Sequence, residues 1–124
     1  MAYITSPILF GEYKKTLKEL HKLTENSDKW YSLSILVGRA IEDIERIHVK
    51  EDFTMTPHRF ILENGDFRKI TDYFKKILGE YEKNIKDIKS SDTAKIYGLI
   101  TKLKERLDLM GQNFEDERVK FRSK

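Results

Sequence analysis

The chain has 124 residues, of which 24 are basic, 21 acidic and none cysteine. That length suits one domain around one core. A net charge of +3 is too compensated for a protein that wraps DNA by charge alone, and the lack of cysteine excludes disulfides, thiolate metal sites and cysteine nucleophiles.

The hydrophobic fraction is 39% and the charged fraction 36%, as expected of slender helices that each bury one stripe and solvate the rest. Seven Phe, six Tyr and a regular apolar repeat argue against disorder. The segment 1–10 lacks a basic leader before a long apolar run, so no secretory signal is expected. No stretch approaches the ~20 apolar residues of a membrane span. A cytoplasmic protein that does not enter membranes is the resulting expectation.

Four segments carry apolar residues at alternating spacings of three and four. A first helix starts at Ser6 or Pro7, with Ser as N-cap and Pro in the first turn, and runs to about Thr24. Its stripe is Phe10, Tyr13, Leu17 and Leu20. Asn26, Ser27 and Asp28 form a turn. A second helix follows from about Lys29 to Lys50, with the stripe Trp30, Leu33, Val37, Ala40, Ile44, Ile47. Its first half also carries Tyr31, Ile35 and Leu36, so it reads as enclosed on all sides at the centre of the core.

The stretch 51–66 is ambiguous. Thr56-Pro57 signals a helix start and Asn64-Gly65 a stop, which favours a short helix over 57–63. Asn-Gly between two apolar runs is also a hairpin signal, the alternative for 57–66. A third long helix begins at Asp66 or Thr71 and ends near Lys89, with the stripe Phe67, Ile70, Phe74, Ile77, Tyr81, Asn84, Ile88. Asn84 is the polar residue in that seam. Ile85 beside it is able to take the buried place and leave the amide wet. Ser90, Ser91 and Asp92 break the chain before a fourth helix, which runs from Thr93 to at least Phe114 on Ile96, Ile100, Leu103, Leu107 and Met110. The tail 115–124, with Phe121 in register, either frays or orders on a partner.

Period 3.5 describes helices packed side by side. The expected fold is therefore all-α: one antiparallel four-helix bundle over 1–124, with an extra short helix (or small hairpin) between the second and third long helices.

The chemistry-bearing residues do not converge. Glu45 and His48 have the Glu-x-x-His spacing of carboxylate-bridged di-iron bundles, but such a site needs two pairs, and Glu45 points outward when Ile44 and Ile47 point inward. The pairs Glu42 with Glu45 and Glu63 with Asp66 resemble the acidic motifs of the all-helical nucleoside-triphosphate pyrophosphohydrolases. That resemblance implies four magnesium ligands on facing helices. Here the second pair straddles Asn64-Gly65 and the first faces solvent. His21, His48 and His58 lie on separate segments, and no Gly-rich loop precedes Lys-Ser or Lys-Thr. No catalytic residue, cofactor or metal ligand is expected.

Basic residues dot the third and fourth helices among interleaved acids. Lys69, Lys76 and Lys83 recur every seven residues and form one ridge, with Lys86 beside it. Arg118, Lys120 and Arg122 add charge in the tail. Such a ridge suits a phosphate backbone.

The favoured reading is a small non-enzymatic interaction or assembly subunit that binds a protein partner or itself. The alternative is a nucleic-acid-associated subunit using the lysine ridge on RNA or DNA, by analogy of size and class with small helical subunits of RNA-guided defence complexes. A magnesium-dependent pyrophosphohydrolase ranks third.

Overall fold

Ser6 opens the first long helix by accepting hydrogen bonds at Oγ from the backbone N–H groups of Ile8 and Leu9, at 3.2 and 3.4 Å. Pro7 occupies the first turn, where its missing N–H costs nothing. The computed structural model describes the backbone of residues 2–54, 59–86 and 92–122, and their side chains except those of 2, 3, 52 and 112–122.

The elements run β1 (Ala2–Thr5), α1 (Pro7–Thr24), a single 3-10 turn (Asp28–Trp30), α2 (Tyr31–Glu45), β2 (Lys50–Asp52), β3 (Arg59–Glu63), α3 (Asn64–Ile85) and α4 (Asp92–Arg122). The chain is mostly helical, as its periodicity predicts, but it also carries a three-stranded sheet in the order β1-β3-β2.

That sheet corrects the reading of the 51–66 region. Residues 59–63 form no helix: they are the central strand, antiparallel to β1 with Ile4 opposite Ile61 and to β2 with Lys50 opposite Ile61. Pro57 and His58 lie outside the described residues. Nor do Asn64 and Gly65 make a hairpin turn. The chain passes from extended Glu63 straight into α3, and both residues stand in its first turn. The local Pro and Asn-Gly signals were outweighed by pairing with a segment almost sixty residues away. The aromatic and β-branched residues Phe60 and Ile61 suit that pairing.

The second helix also ends sooner than the repeat suggests, at Glu45 and not Lys50. Its last turn tightens, with the Ile47 N–H bonded to the Ile44 carbonyl at 3.1 Å. Ile47 and Val49 then lead into β2, both half-buried. The expected enclosure of the first half of α2 does not occur either. Tyr31 is 65% exposed and Ile35 40% exposed, because none of the described elements covers that side.

The apolar stripes pack as their spacing requires. Tyr13, Leu20, Leu33, Val37, Ala40, Ile70, Ile77, Ile96, Leu103 and Met110 have no accessible surface. Phe10, Leu17, Trp30, Ile44, Phe74, Tyr81, Ile100 and Leu107 are buried with them. Leu62 brings β3 into the same core, and Phe10 meets Phe60 edge to face at 6.1 Å. At the start of α2, Trp30 stacks on Tyr81 of α3 at 5.8 Å, and Tyr81 contacts Tyr97 of α4 at 6.0 Å.

Pairwise directions follow from side-chain contacts. Between α1 and α2, Lys18 reaches Glu45 at 2.7 Å, while a Cβ on Gly38 would stand 3.2 Å from His21. Between α2 and α3, Ser32 donates to Glu80 at 2.8 Å and the Tyr73 hydroxyl to the Asp43 carboxylate. Between α1 and α4, Arg106 stands 3.6 Å from Glu12. The backbone of α4 continues to Arg122, so the fourth helix does run past Phe114.

Asn84 behaves differently from expectation. Its Nδ2 is buried and meets no acceptor among the described residues, while Ile85 is 37% exposed. The amide holds the seam position, and Ile85 turns out to solvent.

Candidate functional site: the α1–α4 groove and the α3 lysine ridge

Lys69, Lys76 and Lys83 stand on the solvent side of α3, each adjacent in sequence to a seam residue, and all are exposed, as is Lys86. Lys76 lies over the Tyr73 ring at 5.6 Å. Among the described residues, no carboxylate pairs with the four amino groups. Beneath the ridge, Tyr73 is tied to α2. The carboxylate of Asp43 that accepts a hydrogen bond from its hydroxyl raises the phenol above its ordinary pKa, with partial burial adding to the effect and nearby Arg39 opposing it. The side chains of Arg118, Lys120 and Arg122 lie outside the described residues.

The acidic pairs are dispersed. Glu45 closes α2 and is held by Lys18, whose hydrogen bond and charge lower its carboxyl below the ordinary value. Glu63 ends β3, 4.0 Å from Lys50. Glu42 is exposed on α2, and Asp66 sits in the first turn of α3. Among the described residues, no three of His, Asp and Glu gather closely enough to hold a metal ion. Glu45 and His48 do not share a helix, since α2 stops at Glu45. His21 is half-buried, with Nδ1 3.8 Å from Glu25. His58 lies outside the described residues.

A different surface was not singled out by sequence reasoning. Between α1 and α4 runs an open groove of about 560 Å³, lined by Glu19, Lys22 and Leu23 on one side and Lys95, Gly98, Leu99 and Lys102 on the other. A smaller hollow of about 150 Å³ continues it past Glu19 and Lys102 to Glu12, Lys15, Thr16 and Arg106. The floor is apolar because Leu23 and Leu99 flank the buried stripes and stay half-exposed. Gly98 leaves that floor low: a Cβ there would meet nothing within 4 Å. The rim is basic, and its long apolar stems extend the floor. The signal in the sequence is Leu23 and Leu99 lying off-register, each three residues from a core position, but only helix pairing shows that they face one another.

No helix among the described residues is long and apolar enough to cross a membrane. The chain matches no model of a known protein family, no curated protein and no solved structure.

Proposed function

We propose that this chain is a small, non-enzymatic, cytoplasmic interaction subunit whose four helices close as an antiparallel bundle and whose α1–α4 groove receives a protein partner. The groove is the observation that carries the reading. Isolated exposed apolar residues are ordinary on a protein surface, but an apolar floor between two helices with a charged rim has the anatomy of an interface, apolar at its centre and polar at its edge. The bundle arrangement is supported by α1 bordering both α2 and α4, and by α3 bordering both as well. Support for a non-enzymatic role is that Glu42 and Glu45 on α2, Glu63 at the end of β3 and Asp66 at the start of α3 belong to no cluster of three metal-ligating side chains among the described residues.

Co-purification from the native source tests the reading. A stoichiometric protein partner, resolved by mass spectrometry after a salt wash, is the expected result. A preparation that carries no protein partner and cleaves nucleoside triphosphates only when magnesium is added overturns it in favour of the pyrophosphohydrolase.

A second reading rests on the exposed lysines. Lys69, Lys76 and Lys83 stand ~10 Å apart along α3, without carboxylate partners among the described residues, and suit the phosphates of RNA or DNA.

A further inference from the structure

From the same groove, and resting on the reading of a protein-binding subunit, we infer the class of its occupant: an amphipathic α-helix of about three turns, apolar on one face and acidic on both flanks. Length comes first. The groove and its continuation span Glu12 to Leu23 on α1 and Lys95 to Arg106 on α4. Eleven residues at 1.5 Å each give ~16 Å, which is three turns of a helix lying alongside.

Conformation follows from the floor. Leu23, Leu99 and the lysine stems offer no backbone edge, so an occupant must satisfy its own N–H and C=O groups, as a helix does. Two parallel helix ridges also leave the furrow into which a third helix packs. Gly98, open on its outer side, lets an occupant's backbone approach α4 closely.

Charge sets the flanks. Lys22, Lys95 and Lys102 border the apolar floor with only Glu19 among them, and no carboxylate pairs with those three amino groups among the described residues. Farther along, Arg106 is shared with Glu12 while Lys15 adds a further cation. An occupant with Asp or Glu on both edges matches this rim, and a basic one is repelled. The glutamates and the lack of an aromatic platform disfavour a nucleic-acid strand here, and a furrow open to solvent does not enclose a lipid tail.

The test uses the full chain and two fluorescein-labelled helical peptides of about 14 residues. Both carry Leu at i, i+3, i+4 and i+7; one has Glu on both flanks and its twin has Lys instead. By anisotropy, the acidic peptide should bind at least ~10-fold more tightly than the basic one. Changing Lys22, Lys95 and Lys102 together to Glu should invert that order. Gly98→Trp, which fills the floor from an open position, should weaken the acidic peptide by ~10-fold or more. Gly79→Trp, equally open but on α3, is the control and should leave binding unchanged.

Equal affinity for the two peptides, or full binding by Gly98→Trp, overturns the inference. So does a wild-type dimer in light scattering that Gly98→Trp dissociates, since a second copy would then be the occupant. Laurate bound in the groove while neither peptide binds also overturns it. Co-purification with the same variant separates this inference from the broader reading. A partner retained by Gly98→Trp overturns the groove assignment and leaves a protein-binding subunit standing. No protein on the wild type overturns both.

Discussion

Leu33 in the first turn of α2, and Val37, Ile77 and Leu103 farther inside their helices, have no accessible surface, so each is a place where lost atoms leave a void. Truncating any one to Ala should cost about 2–4 kcal/mol, Val37 at the low end, read as a lower denaturant midpoint at unchanged slope. Tyr13 runs the other way. Its hydroxyl is buried without a hydrogen-bond partner among the described residues, and burial pushes its pKa far up. Tyr13→Phe removes that desolvated group and should leave stability unchanged or raise it by up to ~1 kcal/mol in the same titration. Glu45 supplies a pH dependence. Its pKa is lowered by Lys18 in the folded chain, so the pair adds stability above the unfolded carboxyl pKa and loses it as pH falls through the folded value. Melting curves of wild type and Glu45→Gln should differ slightly at neutral pH and converge in acid, slightly because the pair is exposed.

At the scale of elements, β3 is the piece on which the end of the fold depends. It is bonded on both sides, by β1 and β2, and it places Leu62 in the core. Ile61 pairs with Ile4 on one side and Lys50 on the other. Proline there removes a ladder N–H and clashes in a central strand. Ile61→Pro should lower stability by about 3 kcal/mol or more, whereas a merely decorative strand would tolerate it. Hydrogen exchange at the amides of 2–5 and 50–52 should accelerate together, because each loses the same neighbour.

Across the whole molecule, two surfaces compete to define the function, and they lie on different helices. Converting Lys69, Lys76 and Lys83 to Glu should leave the fold intact, since all three are exposed and such changes are usually mild. If the ridge tracks a nucleic-acid backbone, the salt slope of binding should fall by about 2–3 before the reversed charge is counted. Wild-type binding to single-stranded and duplex RNA and DNA at two salt concentrations checks this. No binding at low salt removes the nucleic-acid reading and leaves the groove untouched, because the groove lies between α1 and α4.

The four long helices and the inward face of each were legible from the chain alone, because a 3.5-residue repeat already states which side is buried. Thus Leu17, Val37, Ile77 and Leu103 emerge on the expected stripe, and Ser6-Pro7 marks the start of α1 by local capping chemistry. The exposure of the lysine ridge was legible for the same reason. What lay outside local pattern was everything set by a distant partner. Ala2–Thr5 and Arg59–Glu63 are strands because they find each other, and neither short segment announces a neighbour almost sixty residues away. Tyr31 and Ile35 read as core but face solvent, since composition cannot tell how many neighbours a helix has. The groove likewise needs Leu23 and Leu99 brought opposite one another, with Gly98 low between rims of lysine. Periodicity fixes which face of one helix turns inward; only the packing of two helices decides what the seam between them leaves open.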